Sequence, residues 1–141
     1  MTVQTDLKTN PDTLTRGVIP YIQVKGAAEA VEFYKRAFGA REVSRSATDD
    51  GKKIMNCQLE INGGLVTVMD EMPEHGFAFV PPKSISLQLI VPDGRGWFDR
   101  AVDAGAKVTT PFQKMFWGDL WGQVIDPFEI SWGIDQPPAS A

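Results

Sequence analysis

The chain has 141 residues, of which 43% are hydrophobic and 23% charged, and its net charge at pH 7 is −4. The length suits one domain with a single core, and the composition is that of an ordinary globular protein. The acidic balance argues against nucleic-acid binding, and the absence of a basic cluster or a long apolar run argues against binding to a membrane.

The first elements read clearly in chain order. Residues 1–16 are polar and carry no apolar stretch typical of a signal peptide, so we predict a flexible lead-in to a cytoplasmic domain. An apolar strand is predicted at 17–24. The helix after it has Val31, Tyr34 and Phe38 at helical spacing and ends at a glycine. Three further strands are predicted, separated by the turns DDG and NGG: 41–48, 52–61 and 65–70.

The same order of elements recurs in the second half. The strand at 84–91 leads into a helix whose apolar face is formed by Trp97, Phe98, Ala101 and Val102. Gly39-Ala40-Arg41 ends the first helix and Gly105-Ala106-Lys107 ends the second. The strands that follow in this half are predicted as 106–112, 122–126 and 129–134.

This internal repeat predicts an α+β fold of two βαβββ modules, whose curved mixed sheets surround a shared open-barrel cavity. The single domain covers 17–135, with a linker rich in proline at 73–83 between module one (17–72) and module two (84–135). The tail, 136–141, is predicted to be disordered. Cys57 lies in an alternating segment and is predicted to be a buried structural thiol, which fits a reducing cytoplasm.

The segment MFWGDLWG, at 115–122, is too aromatic for an ordinary loop. We predict that Met115, Phe116, Trp117 and Trp121 bind a ligand, with part of the set packed inward and Trp117 or Trp121 forming a stacking wall. The alternative is that these side chains make a dimer contact.

Four polar residues complete the predicted site. Glu129 is a candidate base that faces the cavity or, alternatively, solvent. His75, the only histidine, is either a ligand-binding side chain or a solvated linker residue. Gln58 and Gln88 interrupt apolar strands and either bind the ligand or face solvent. Asp126, before Pro127, is predicted to accept hydrogen bonds within a turn.

Three stretches carry a family resemblance: VIPYIQVKGAAEAVEFYKRAFGA, DEMPEHG and MFWGDLWGQVIDPFEISWGI. With the paired βαβββ modules, they resemble the glyoxalase/bleomycin-resistance/extradiol-dioxygenase superfamily, the vicinal oxygen chelate fold, and within it the PhnB-like branch. The resemblance covers roughly residues 17–135. The resemblance implies a homodimer. The sequence departs from the branch at Glu129, where the motif D-P-F-G has glycine.

The resemblance also implies a metal site, which the sequence does not supply. Enzymes of the superfamily hold a divalent metal with His and Glu from the first and last strands of the modules. The corresponding positions here fall at or near Ile19, Ser86 and Gly133, and the last strand of module one has no carboxylate before Asp70. A catalytic metal needs about three protein ligands with open positions. We therefore expect no metal and no cofactor.

Two functions remain from the sequence. The first is a metal-independent protein that binds a small, planar or cationic molecule in an aromatic-lined cavity. The second is a glyoxalase-like lyase or isomerase with an atypical metal site or with Glu129 as a metal-free base. A dioxygenase is disfavoured because two histidines are needed for its usual metal site.

Overall fold

The computed structural model describes residues 3–5, as backbone only, and residues 14–139. The chain forms two compact units. The first contains the residues up to Val80 except 36–38, and the second contains 36–38 and the residues from Pro81 onward. Within the described ranges, no helix is both long and apolar enough to cross a bilayer.

The first unit is a mixed sheet with one helix. Its elements are β1 (Val3–Thr5), β2 (Tyr21–Val24), α1 (Ala27–Phe38), β3 (Arg41–Ala47), β4 (Ile54–Ile61) and β5 (Gly64–Asp70). The strand order is β1-β3-β4-β5-β2, and all neighbours are antiparallel except β2 and β5, which pair in parallel. The short edge strand β1 was not predicted from the sequence.

Asp70, at the end of β5, fixes the start of α1. Its Oδ1 accepts a hydrogen bond from the backbone N–H of Ala27, and its Oδ2 accepts one from the N–H of Ile54, both at 2.8 Å. The carboxylate replaces a cap from the residue before the helix, since Gly26 has no side chain to offer. The other end of α1 is closed, as predicted, by Gly39 at a φ of 64°.

The second unit repeats the plan. Its elements are β6 (Leu87–Ile90), α2 (Gly94–Ala104), β7 (Lys107–Lys114), β8 (Leu120–Ile125) and β9 (Ser131–Gln136). The sheet has the order β6-β9-β8-β7, with β6 and β9 parallel, and α2 packs against β7, β8 and β9. Trp132 and Ile134 of β9 are almost fully buried and contribute to the core.

The predicted α+β fold of two βαβββ modules is confirmed, and neither sheet closes into a barrel over the described residues. Two local predictions are wrong. Trp121 lies on β8 and not in a loop, because the hairpin turn already closes between Met115 and Asp119. Glu129 precedes β9, in a turn closed by the hydrogen bond from its own N–H to the carbonyl of Asp126. A cavity shared by the two sheets stays a prediction.

Candidate functional site

A cavity of about 680 Å³ opens on the first unit. It is formed by side chains of β2, β4 and β5 and of the segment that follows β5. The volume lies within the usual range for small-molecule sites. The lining residues are Tyr21, Gln23, Met55, Met69, Met72, His75 and Phe77.

Strand alternation sets the floor of this cavity. Tyr21 and Gln23 point to one face of β2, while Val24 points to the other face and is fully buried in the core. The parallel register places Gln23 beside Met69 of β5. The hydroxyl of Tyr21 donates to the carbonyl oxygen of Met55 at 3.3 Å, which ties β2 to β4 across the opening.

The segment after β5 forms the rim. Met72 is buried, and its N–H donates to the carbonyl of Phe77 at 2.7 Å while the N–H of Phe77 donates back at 2.9 Å. A single 3₁₀ turn, Pro73–His75, fills the loop between these two residues. The side chain of Glu71 accepts from the N–H of Phe79 at 2.9 Å and holds the outgoing chain.

The lining is nearly free of charge. Three thioethers and two aromatic rings dominate it, and none of the described residues that line it is Asp, Glu, Lys or Arg. Gln23 and His75 are its main polar groups. Methionine side chains are flexible and polarizable, so such a lining adapts to apolar and aromatic ligands of different shapes.

Of the predicted ligand-binding residues, only His75 lines this cavity. Gln58 belongs to the same sheet, half-buried on β4, and its Oε1 accepts a hydrogen bond from the Ser44 hydroxyl at 2.9 Å. The lining residues that were not predicted from the sequence include Tyr21, Met55 and Met69. Methionine in a strand carries no sequence signal that separates a cavity wall from core.

The predicted aromatic residues all belong to the second unit. Phe116 is 97% exposed and Trp117 is 48% exposed, whereas Met115 and Trp121 are half-buried. The rings form a chain of edge contacts, with centroids 4.9 Å apart for Phe116 and Trp117 and 6.1 Å apart for Trp117 and Trp121. The aromatic side chains therefore do not plug the core, and Gln88 is likewise exposed on β6.

Trp121 lies across a glycine of the neighbouring strand. A Cβ atom on Gly133 would approach the Trp121 Nε1 to 3.0 Å, so the indole occupies the space that a side chain at 133 would need. Gly133 is the position at which the family resemblance implies a metal-binding glutamate. The indole lies where such a side chain would stand.

The carboxylates around the last turn divide into three roles. Asp126 is structural, as predicted: its carboxylate accepts from the N–H groups of Phe128 and Ile130 and, at 2.8 Å, from the indole N–H of Trp132. Glu129 is exposed and has a φ of 69°, a conformation that suits glycine. Asp135, which sequence analysis overlooked, is only 5% exposed on β9.

The environment of Asp135 is unusual. Burial raises the pKa of Asp135 from 3.8 to about 6, and so do, next, the hydrogen bond that the protonated Asp135 donates to Asp119 and the charge of Asp119. The available sequence signal was an aspartate two residues beyond Gly133, on the same face of a strand. Another buried titratable group, Cys57, is fully buried as predicted, and its pKa is raised to about 11, chiefly by burial and then by Glu42.

Comparison with known proteins identifies the family to which the chain belongs. The model of the glyoxalase/bleomycin resistance protein/dioxygenase superfamily matches residues 14–134. The chain belongs to this superfamily. It is 38% identical over 124 residues to an uncharacterized protein of Mycobacterium tuberculosis, covering 84% of this chain and 72% of that protein.

Solved structures of similar fold come from other bacteria. Protein PA1353 from Pseudomonas aeruginosa superposes with a TM-score of 0.70 at 22% identity, over 87% of this chain and 98% of that one. The PhnB protein from Bacillus cereus superposes with a TM-score of 0.67 at 19% identity, over 86% and 99% of the two chains.

The residues present do not fit the divalent metal site of the superfamily's enzymes. The described residues contain no group of three or more His, Cys, Asp or Glu side chains placed to hold a metal ion. Ile19 packs against the cluster of Leu14, Val43 and Leu65. Both carboxylate oxygens of Asp70 are engaged by backbone N–H groups. Ile19 is thus engaged in packing, and the Asp70 carboxylate in capping α1 and binding β4.

Proposed function

We propose that this superfamily member is a binding protein that takes up a small, largely apolar molecule in the cavity of its first unit, without a metal. The observation that carries the proposal is the lining itself, in which thioethers and aromatic rings surround one amide and one imidazole. Such a surface gains affinity by removing apolar area from water, and its few polar groups orient the ligand.

The lyase or isomerase alternative has less support. The residue predicted to act as its base, Glu129, is exposed in a turn and not part of the cavity lining. The catalytic role of Glu129 stays a prediction from sequence.

The finer assignments are part of the same proposal. The chain's PhnB-like branch is supported by its motifs and by its likeness to the Bacillus cereus PhnB fold. A cytoplasmic location is supported by the single buried thiol.

We propose a homodimer because two-fold dimers are the commonest protein assemblies. Light scattering coupled to size exclusion should give twice the mass of one chain, and the mass of a single chain would contradict it.

The experiment uses N-phenyl-1-naphthylamine, a neutral aromatic probe whose fluorescence rises in apolar surroundings. The protein is labelled with [¹³C-methyl]methionine. Addition of the probe should shift the methyl signals of Met55, Met69 and Met72 and leave that of Met115, in the second unit, unchanged. Equal shifts at Met115, or none at the three cavity residues, would refute the proposed site.

A matched pair of variants tests the same site. Met55 is 42% exposed at the cavity, and Met55→Gln keeps its length while adding a polar amide. We expect the dissociation constant for the probe to rise about fivefold, which corresponds to roughly 1 kcal/mol of lost apolar contact. Val18→Gln is the control, because Val18 is 97% exposed and does not line the cavity.

A further inference from the structure

The sheet of the second unit presents a face opposite to its core. On β9, Trp132 and Ile134 point into the core, so Gly133 and Asp135 point to the other face. The register places Trp121 of β8 on one side of Asp135 and Ile90 of β6 on its other side. Gln88 and Gln123 flank Gly133 in the same way. This face therefore has one buried acidic side chain beside an indole.

Asp135 is nine-tenths buried, and none of the described basic side chains is paired with it. Among the described residues, Asp119 is the only side chain that hydrogen-bonds to the Asp135 carboxyl or shifts its pKa, and Asp119 is itself a carboxyl. Buried carboxylates in proteins are normally paired with a cation, because desolvation of an unpaired charge is costly. Two adjacent carboxyls without a positive partner thus leave a place for a positive group.

The neighbouring indoles provide the rest of such a site. Trp121 is directly opposite Asp135 on the adjacent strand, and its ring meets that of Trp117 at an interplanar angle of 61°. Trp117 remains 48% exposed, so its ring is open to an incoming molecule. Tryptophan is the aromatic side chain that attracts organic cations most strongly.

We propose that this face of the second unit is a binding site for an organic ammonium group, held by the carboxylates of Asp119 and Asp135 and by the rings of Trp117 and Trp121. The site is separate in composition from the methionine-lined cavity, in which no described lining residue is acidic. Its occupant is an amine or quaternary ammonium ion attached to a small organic body.

The test compares two probes of the same shape, choline and its uncharged analogue 3,3-dimethylbutan-1-ol. The protein carries 5-fluorotryptophan, and the four indole signals are assigned with single Trp→Phe variants. At pH 8, choline should shift the signals of Trp117 and Trp121 in the millimolar range, with at least tenfold weaker effects from the neutral alcohol. Equal effects of the two probes would overturn the proposal.

Variants separate the site from a general charge effect. Asp135→Asn and Asp119→Asn should each weaken choline binding at least tenfold, whereas Asp103→Asn removes an equal charge from the exposed side of α2 and should change nothing. Trp117→Ala, at an exposed position, tests the aromatic wall if the aspartate variants fold poorly. Binding that survives Asp119→Asn and Trp117→Ala unchanged would show that the pair is structural only. The naphthylamine experiment reads methionine signals of the first unit, so either proposal can fail alone.

Discussion

Asp135 makes the stability of the protein depend on pH in a way that can be traced to one residue. Its pKa in the folded chain is raised from the ordinary value of 3.8 to about 6, mainly by burial and then by Asp119. The folded state therefore binds this proton more tightly than the unfolded state does. The stabilising contribution is complete below about pH 4 and is lost as the pH rises through 6.

We expect Asp135→Asn to remove this dependence. Relative to the variant, the wild-type protein should lose up to about 3 kcal/mol of unfolding free energy between pH 4 and pH 7, since one pKa unit corresponds to about 1.4 kcal/mol. Urea unfolding at several pH values measures the difference, with Asp103→Asn as the control. A difference between wild type and Asp135→Asn that is constant with pH would contradict the assignment.

Glu129 is strained by its backbone. A side chain with a φ of 69° costs roughly 1 kcal/mol relative to glycine, and Glu129 is exposed. Glu129→Gly should raise the unfolding free energy by about 0.5–1 kcal/mol. The matched control, Glu32→Gly in the interior of α1, should lower it by about 1 kcal/mol. Loss of stability in Glu129→Gly would show that the carboxylate makes a contact worth more than the strain.

At the scale of elements, Asp70 joins three of them: it ends β5, caps α1 and holds the first residue of β4. In Asp70→Asn an amide N–H₂ replaces one acceptor and faces a backbone donor. We expect a loss of about 1–3 kcal/mol, the cost of a buried donor left without an acceptor. Urea unfolding and the amide exchange rates of Ala27 and Ile54 report it, and faster exchange at Ala27 alone would mean that the side chain turns to keep the Ile54 bond.

Sequence reasoning located the elements because local signals determine them. The helical spacing of Val31, Tyr34 and Phe38 and the Asn62-Gly63 turn describe interactions between neighbours in the chain, and the structure follows them. Trp121 was misplaced because an aromatic run bounded by glycines resembles a loop. Only the pairing with Asp135 shows that it belongs to a strand.

The candidate sites depend on non-local pairing and were therefore harder to predict. Met69 lines a cavity because β2 lies beside β5, and no signal near Met69 reveals that neighbour. His75 was singled out because histidine is chemically distinctive, whereas Asp135 was overlooked because aspartate is common. That no basic side chain among the described residues pairs with Asp135 becomes visible only in the folded structure.

For the whole molecule, a set of described residues without a group of three His, Cys, Asp or Glu side chains placed for a metal predicts indifference to metals. Protein purified without an affinity tag and treated with EDTA should show no sub-micromolar binding of Mn²⁺, Ni²⁺ or Zn²⁺ by calorimetry. Its affinity for N-phenyl-1-naphthylamine should be the same with and without EDTA. Tight binding of one metal ion per chain would favour the lyase or isomerase alternative.

The parallel pairing of β2 with β5 and of β6 with β9 also sets the order in which the chain acquires function. The β4–β5 hairpin closes through a turn between adjacent residues, but Tyr21 must find Thr67, and Leu87 must find Trp132, across the whole of each module. Closing such long loops is slow compared with local hairpin formation. The wall that β2 gives to the cavity therefore arrives late, and a chain emerging from the ribosome gains this pocket only after β5 has been synthesised.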